Sequence, residues 1–266
     1  MTGNERLGGL RGLASRLGVA VPELGVVVSR AEPFLEVAGF TAPGGAAVEW
    51  WCRLADVGSQ LGYWPVLFRS RGPYSDGTAD SLRWLWDKEA ARAAEDVLAD
   101  AAALNGAALV APRTMPSDGS GPDWLPEVLA DLGDLEDWPV PAVPPPMAQD
   151  VIGSADVSVA LVPVAQSWQV PAVLGLAGWN AFPAPAEHCA ILRYWHQQFG
   201  AELLMLGSDQ LALRLRRPPA AKPEAVRLAV EYQDYCDGLF DCYRAGDTIE
   251  LAAALLGNGI LHAWWD

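Results

Sequence analysis

Basic charge is scarce in this chain and lysine almost missing: Lys88 and Lys222 are its lysines, arginine supplies the rest of 18 basic residues, and 33 acidic residues leave a net charge of -15. So negative a surface repels a long polyanion, which excludes duplex nucleic acid as a general partner and suits a protein partner with a basic surface. Cysteine is sparse too. Cys52, Cys189, Cys236 and Cys242 form no C-x-x-C pair, so they read as reduced thiols of a cytoplasmic protein rather than a disulfide framework. No uncharged apolar run approaches the roughly 18 residues a bilayer needs, so no membrane span is expected. The opening MTGNERLGGLRGL has no apolar stretch ahead of a small-residue cleavage site, so no secretory signal is expected either.

The motifs that announce chemistry are also missing. There is no G-x-S-x-G elbow, no G-x-G-x-x-G turn and no Walker A loop. The aspartates Asp234, Asp237, Asp241 and Asp247 do not fall on the ligand positions of a calcium loop, and read as a solvated acidic connection between helices. No cofactor is therefore expected, and the reading leans away from an enzyme.

What is present is material for a core, with 51% hydrophobic residues in a length of 266. Five prolines fall within Trp138–Met147, WPVPAVPPPM, a composition that favours extended chain over helix or central strand. This divides the chain into an N-terminal unit over 1–135, a Pro-rich linker over 136–150 and a C-terminal unit over 151–266. The stretch Pro112 to Pro126 reads as a surface loop. In the first unit the pattern predicts helices over Glu5 to Leu17 and Ser81 to Asn105, and strands at Val26 to Val28 and Tyr63 to Phe68. In the second it predicts strands at Val157 to Val164 and Ala172 to Leu176, then a helix from Pro185 to Phe199 stopped by Gly200. A hairpin of Glu202 to Leu206 with Gln210 to Leu215 follows, then helices over Lys222 to Asp237 and Thr248 to Leu256, and a final strand in ILHAWWD. Strands and helices without a strict βαβ rhythm give an α+β fold, a mixed or antiparallel sheet with packed helices.

Four segments of the second unit carry a resemblance: AEHCAILRYWHQQFGAELL (Ala186 to Leu204), LALRLRRPP (Leu211 to Pro219), Tyr235-Cys236, and the closing AWWD (Ala263 to Asp266). Together they resemble the bacterial family of domain of unknown function 4253, over about 110 residues. The resemblance implies an α+β fold and a bacterial intracellular setting, and supplies no activity. The family pattern has a proline and an aspartate after the Tyr-Cys pair, where this chain has Asp237 and Gly238. By analogy of fold alone, such domains suggest interaction modules of the adaptor or immunity kind.

His188, His196 and His262 all lie in the C-terminal unit, and histidine serves as metal ligand and as acid or base near neutrality. Cys189 and His196 share a helix face but stand two turns, about 10 Å, apart, too far to hold one zinc ion. A metal site would have to recruit His262 or the Cys236 and Cys242 pair from elsewhere, so no metal ligands are assigned.

The 12 tryptophans are the strongest oddity of composition. Tryptophan fills cores, yet it also anchors interfaces and stacks on sugars. Trp264 and Trp265 are adjacent, so in a strand they face opposite sides. These features give a leading expectation of a protein-binding module using an acidic, Trp-containing face. Its alternative is an enzyme or a small-ligand or metal-binding protein with a site among the C-terminal His, Tyr and Asp residues; a second alternative is carbohydrate binding. The candidate binding residues are Trp195, His196, Tyr235, Asp237, Asp241, Trp264, Trp265 and Asp266. Nothing in the sequence indicates the oligomeric state.

Overall fold

In the computed structural model the described residues are 3–30, 35–69, 92–111, 126, 129–130, 138–141, 143–176, 183–207, 210–236 and 242–265. In chain order they form α1 (Gly3–Arg16), β1 (Gly25–Arg30), β2 (Leu35–Pro43), α2 (Gly44–Ala55), α3 (Gly58–Leu61) and β3 (Trp64–Arg69). Next come α4 (Ala94–Ala103), α5 (Gly106–Leu109), α6 (Ala148–Ile152), β4 (Asp156–Val162) and α7 (Val170–Leu174). The chain continues through α8 (Pro185–Phe199), β5 (Ala201–Leu206), β6 (Gln210–Leu215), α9 (Lys222–Tyr235), α10 (Thr248–Leu255) and β7 (Ile260–Trp264).

Local chemistry explains several boundaries. Pro185 occupies the first turn of α8, where its missing N–H costs no hydrogen bond, and Glu187 accepts from the Ala184 N–H at 2.8 Å. Gly200 ends the helix at φ 62°, a left-handed conformation that glycine adopts without strain. Asp247 caps α10 by accepting from the Glu250 N–H at 2.8 Å. One strand expected from the sequence, Ala172 to Leu176, is not a strand: Ala172 to Leu174 belong to α7, with Pro171 in its first turn and Gly175 left-handed at its end. A short apolar run has no period of its own, and here the flanking proline and glycine decide the outcome. The helix expected over Ser81 to Asn105 is described from Ala94 and stops at Ala103; Ser81 lies outside the described residues. Asn105 caps α5 instead, accepting from Ala107 and Ala108 N–H. Residues 138–141 and 143–147 form neither helix nor strand.

The strands make one mixed seven-stranded sheet in the order β1-β2-β4-β3-β5-β6-β7, confirming an α+β fold. β4 inserts between β2 and β3, antiparallel to both, so strands from residues 25–69 and from 156–264 share the sheet. The pairing of β3 with β5 is parallel and short, spanning Leu67 to Met205 and Phe68 to Leu206. Along β6, Leu211, Leu213 and Leu215 face one side with Leu261 and Ala263 of β7, and all are buried. The other side of β6 presents Gln210, Ala212 and Arg214. The α2 helix packs over β3 and β4, and from there its Trp51 ring reaches the Arg214 guanidinium, whose carbon lies 4.4 Å from the ring centroid.

Candidate functional site

The end of α8 sets the geometry of a cleft. Because Gly200 turns the helix directly into β5, His196 in the last helical turn lies against the first residue of the strand, its Nδ1 3.0 Å from the Ala201 carbonyl oxygen. A carbonyl oxygen can only accept, so Nδ1 carries the proton and the neutral imidazole keeps its lone pair on Nε2. Glu202 follows, and the strand register sets it opposite Arg214 of β6. Two arginines converge on this carboxylate. Arg214 donates from Nη2 and Nε to Oε2 at 2.6 and 3.0 Å, and Arg216 from Nε to Oε1 at 2.6 Å. With its side chain only 6% exposed, Glu202 needs both cations to compensate its lost hydration. Arg216 also donates to Asp56 Oδ1 at 3.0 Å, at the C-terminal end of α2, where the helix dipole favours a cation. The bond to Glu202 is the first cause holding Arg216 above its ordinary pKa.

Trp64 lines the cleft, and the Trp51 ring packs edge-on against it, 6.3 Å between centroids. Trp51 Nε1 donates to the carbonyls of Pro65 and Leu203 at 2.8 and 3.2 Å, and Trp64 Nε1 to the same Leu203 carbonyl at 3.0 Å. Indole N–H groups thus satisfy strand carbonyls where β3 and β5 have not yet paired. The resulting cleft of about 470 Å³ is lined by Asp56 and Ser59, Trp64, Gln166, and His196, Glu202 and Arg216. Polar groups of both hydrogen-bonding senses converge there beside Trp64, Ala55 and Ala165.

A second cluster lies behind α8, away from solvent. His188 Nδ1 and the Tyr235 hydroxyl share a hydrogen bond of 2.7 Å, and the Trp265 ring stands edge-on to both, 6.2 and 5.3 Å between centroids. Burial lowers the His188 pKa to about 3, raises Cys189 to about 12 and raises Tyr235 well above the phenol range. Glu231 on α9 accepts from Tyr194 Oη at 2.7 Å and Trp195 Nε1 at 3.0 Å, both on α8. Desolvation outweighs these bonds and raises its pKa.

All four segments of the resemblance thus meet around α8, β5, β6 and the chain's last strand. Residues 158–266 match the family profile of a domain of unknown function (DUF4253). No curated protein and no solved structure gives a significant match. His196, Glu202, Arg214 and Arg216 belong to the DUF4253 region, whereas Trp51, Asp56, Ser59 and Trp64 come from residues that precede it.

The structure divides the candidate residues. Trp195, Tyr235 and Trp265 come together in the buried cluster, with Trp195 0% exposed and its ring 5.0 Å from that of Tyr235. His196 lines the cleft. Trp264 is half-buried in β7, and its carbonyl accepts from Cys236 Sγ at 3.1 Å. Asp237, Asp241 and Asp266 lie outside the described residues. The three histidines stay apart: His188 is in the buried cluster, His196 at the cleft, and His262 on β7 with Nε2 3.4 Å from Gln210 Oε1. Among the described residues no group of three or more His, Cys, Asp or Glu could hold a metal ion, and no helix is long and apolar enough to cross a membrane. Trp51, Trp64, Trp195 and Trp265 are buried, and Trp50, Trp138, Trp168 and Trp264 half-buried. Arg214, Arg216, Glu202 and Asp56 were not singled out by sequence. The alternation in LALRLRR does put both arginines on one strand face, but nothing local points to Asp56, which lies 160 residues from Arg216 in the chain.

Proposed function

We propose that this protein binds a small molecule in the cleft between the end of α2 and the start of β5. One observation carries the reading: His196 has its Nδ1–H tied to Ala201, and its Nε2 makes no hydrogen bond among the described residues, on the wall of a cleft that Arg216 also lines. An imidazole fixed in one tautomer is a pre-oriented acceptor, and fixing it in advance removes part of the ordering cost of binding. The volume of about 470 Å³ lies within the range of ligand pockets. No side chain among those described is hydrogen-bonded to Nε2 as a nucleophile would be, so binding is favoured over nucleophilic catalysis. The test is a thermal-shift screen of a metabolite library, with hits followed by the imidazole ¹⁵N resonances. A genuine ligand moves the His196 Nε2 resonance, and His196→Ala weakens it by about tenfold or more, the loss expected for a buried polar contact. Hits that bind His196→Ala and Arg216→Gln as well as the wild type would place the site elsewhere and refute the reading.

A second reading is a protein-binding module of the adaptor or immunity kind, supported by the net charge of -15. Such a field speeds encounter with a basic partner, so the association rate would fall as salt rises; a salt-independent rate would count against it. Carbohydrate binding would need an exposed tryptophan face; among the described tryptophans Trp50, Trp138, Trp168 and Trp264 are half-buried and the others buried.

A further inference from the structure

We propose, resting on the cleft reading, that the ligand is a zwitterion of the α-amino acid type, with its carboxylate on Arg216 and its ammonium between Asp56 and His196. The hydrogen-bonding groups not already used define what the cleft can hold. Arg214 is consumed: Nε and Nη2 hold Glu202, Nη1 lies 3.8 Å from Cys52 Sγ, and the guanidinium stacks on Trp51. Glu202 is consumed as well, each oxygen engaged by an arginine. Arg216 is not. It commits Nε to Glu202 and Nη2 to Asp56, while Nη1 makes no hydrogen bond among the described residues and the side chain is 45% exposed. An oxyanion can approach that edge of the fork, which suits a planar carboxylate. Asp56 uses Oδ1 for the arginines, leaving Oδ2 without a hydrogen bond among the described residues on a side chain 61% exposed. His196 adds the Nε2 lone pair. The cleft therefore offers one cationic donor edge and two acceptors, one of them charged.

Net charge then selects among ligands. Arg214 and Arg216 balance Glu202 and Asp56, so the cluster is internally neutral. A simple anion would satisfy Arg216 but sit beside the Asp56 carboxylate that Arg216 holds at 3.0 Å; a simple cation would satisfy Asp56 but sit beside Arg216. A ligand bearing both charges and no net charge meets both needs, and the chain's net charge of -15 does not repel it as it repels a free anion. Ala55, Ala165 and Trp64 supply apolar lining against which a ligand side chain can pack.

The test uses the full chain with ¹⁵N-labelled histidine, titrated with a set of free amino acids, the carboxylates lacking their amino group, and the amines lacking their carboxyl group. The expected result is a saturable shift of the His196 resonance by at least one amino acid, with both single-charge analogues bound about tenfold or more weakly. Arg216→Gln and Asp56→Asn should each cost a similar factor. Asp56→Asn changes an exposed residue at a helix end, so it remains informative if Arg216→Gln unfolds. If a carboxylate binds as tightly as its amino acid, or Asp56→Asn leaves amino acid affinity unchanged, the zwitterion inference is overturned while the cleft stands. If library compounds move His196 and no amino acid does, the same inference falls alone. If no compound of either set moves His196, both fall.

Discussion

Replacing His188 by glutamine should remove about 2 kcal/mol of the stability that the protein loses between about pH 7.5 and about pH 5. His188 is fully buried, and burial lowers its pKa from 6.5 to about 3. The unfolded chain then takes up a proton that the native state refuses. Stability contributed by the neutral ring is complete above the unfolded value and is lost as pH falls from about 6.5 towards 3. At 1.36 kcal/mol per pH unit the whole window amounts to about 5 kcal/mol, of which about 2 kcal/mol has gone by about pH 5. Other groups of the cluster do not imitate this signal. Cys189 is raised to about 12 and Tyr235 well above the phenol range, so both stay neutral throughout. Glu231 has a raised pKa, so its native state gains a proton more readily than the unfolded chain and its contribution runs the opposite way. Glutamine can keep a hydrogen bond to Tyr235 and cannot charge. Urea denaturation of wild type and His188→Gln at about pH 7.5 and about pH 5 isolates the term, and the wild type should lose about 2 kcal/mol more than the variant, or about 4 to 8 °C in melting temperature. Equal losses in the two proteins, or a native imidazole titrating near its unfolded value, would refute the reasoning.

Two further outcomes follow from the packing of α8. Glu231→Gln should cost less than about 1.5 kcal/mol, because the raised pKa already favours a neutral group and an amide oxygen can still accept from one donor. Glu231→Leu strands the buried Trp195 Nε1, leaves Tyr194 Oη with Arg227 alone, and should cost about 2 to 4 kcal/mol by chemical denaturation. Gly106 opens α5 against α8, and an added Cβ would run into the Ala190 carbonyl oxygen and the Tyr194 side chain. Gly106→Ala should therefore cost about 1 to 3 kcal/mol, whereas Gly9→Ala in the open interior of α1 should be neutral or stabilise by up to about 1 kcal/mol.

Elements with chemical punctuation at both ends were legible from sequence. α8 begins at Pro185 and ends at Gly200 as expected, β5 and β6 pair as the expected hairpin, and β7 falls within ILHAWWD. β2 and α2 were not foreseen, for identifiable reasons. Gly39 weakens the strand pattern of β2, yet an added Cβ there would strike the Val159 carbonyl of β4, so close strand approach requires the residue that hides the strand. α2 opens on Gly44-Gly45, poor helix formers, and depends on burying Trp51 and Leu54, both 0% exposed. Histidine usage drew attention to His196. The rest of the cleft depends on sheet order, since Asp56 meets Arg216 only because α2 packs over β3 and β4 and the sheet continues from β3 through β5 to β6, a fact no local window contains.

The polar groups of the cleft come from two parts of the chain. Trp195 and His196 are consecutive on α8, about 100° apart around the axis, so the helix turns Trp195 to the buried cluster and His196 to the cleft. The DUF4253 region therefore supplies a scaffold on one side of α8 and, on the other, the imidazole acceptor, the Arg216 fork and the Glu202 carboxylate that aims it. It does not supply Asp56, Ser59 or Trp64. If the opposing carboxylate selects a dipolar ligand over a plain anion, that choice is written in residues preceding the family region. Replacing Asp56 alone should then shift the cleft towards anions while the buried cluster of His188, Tyr235 and Trp265 is undisturbed, because the two sites share α8 but no side chain.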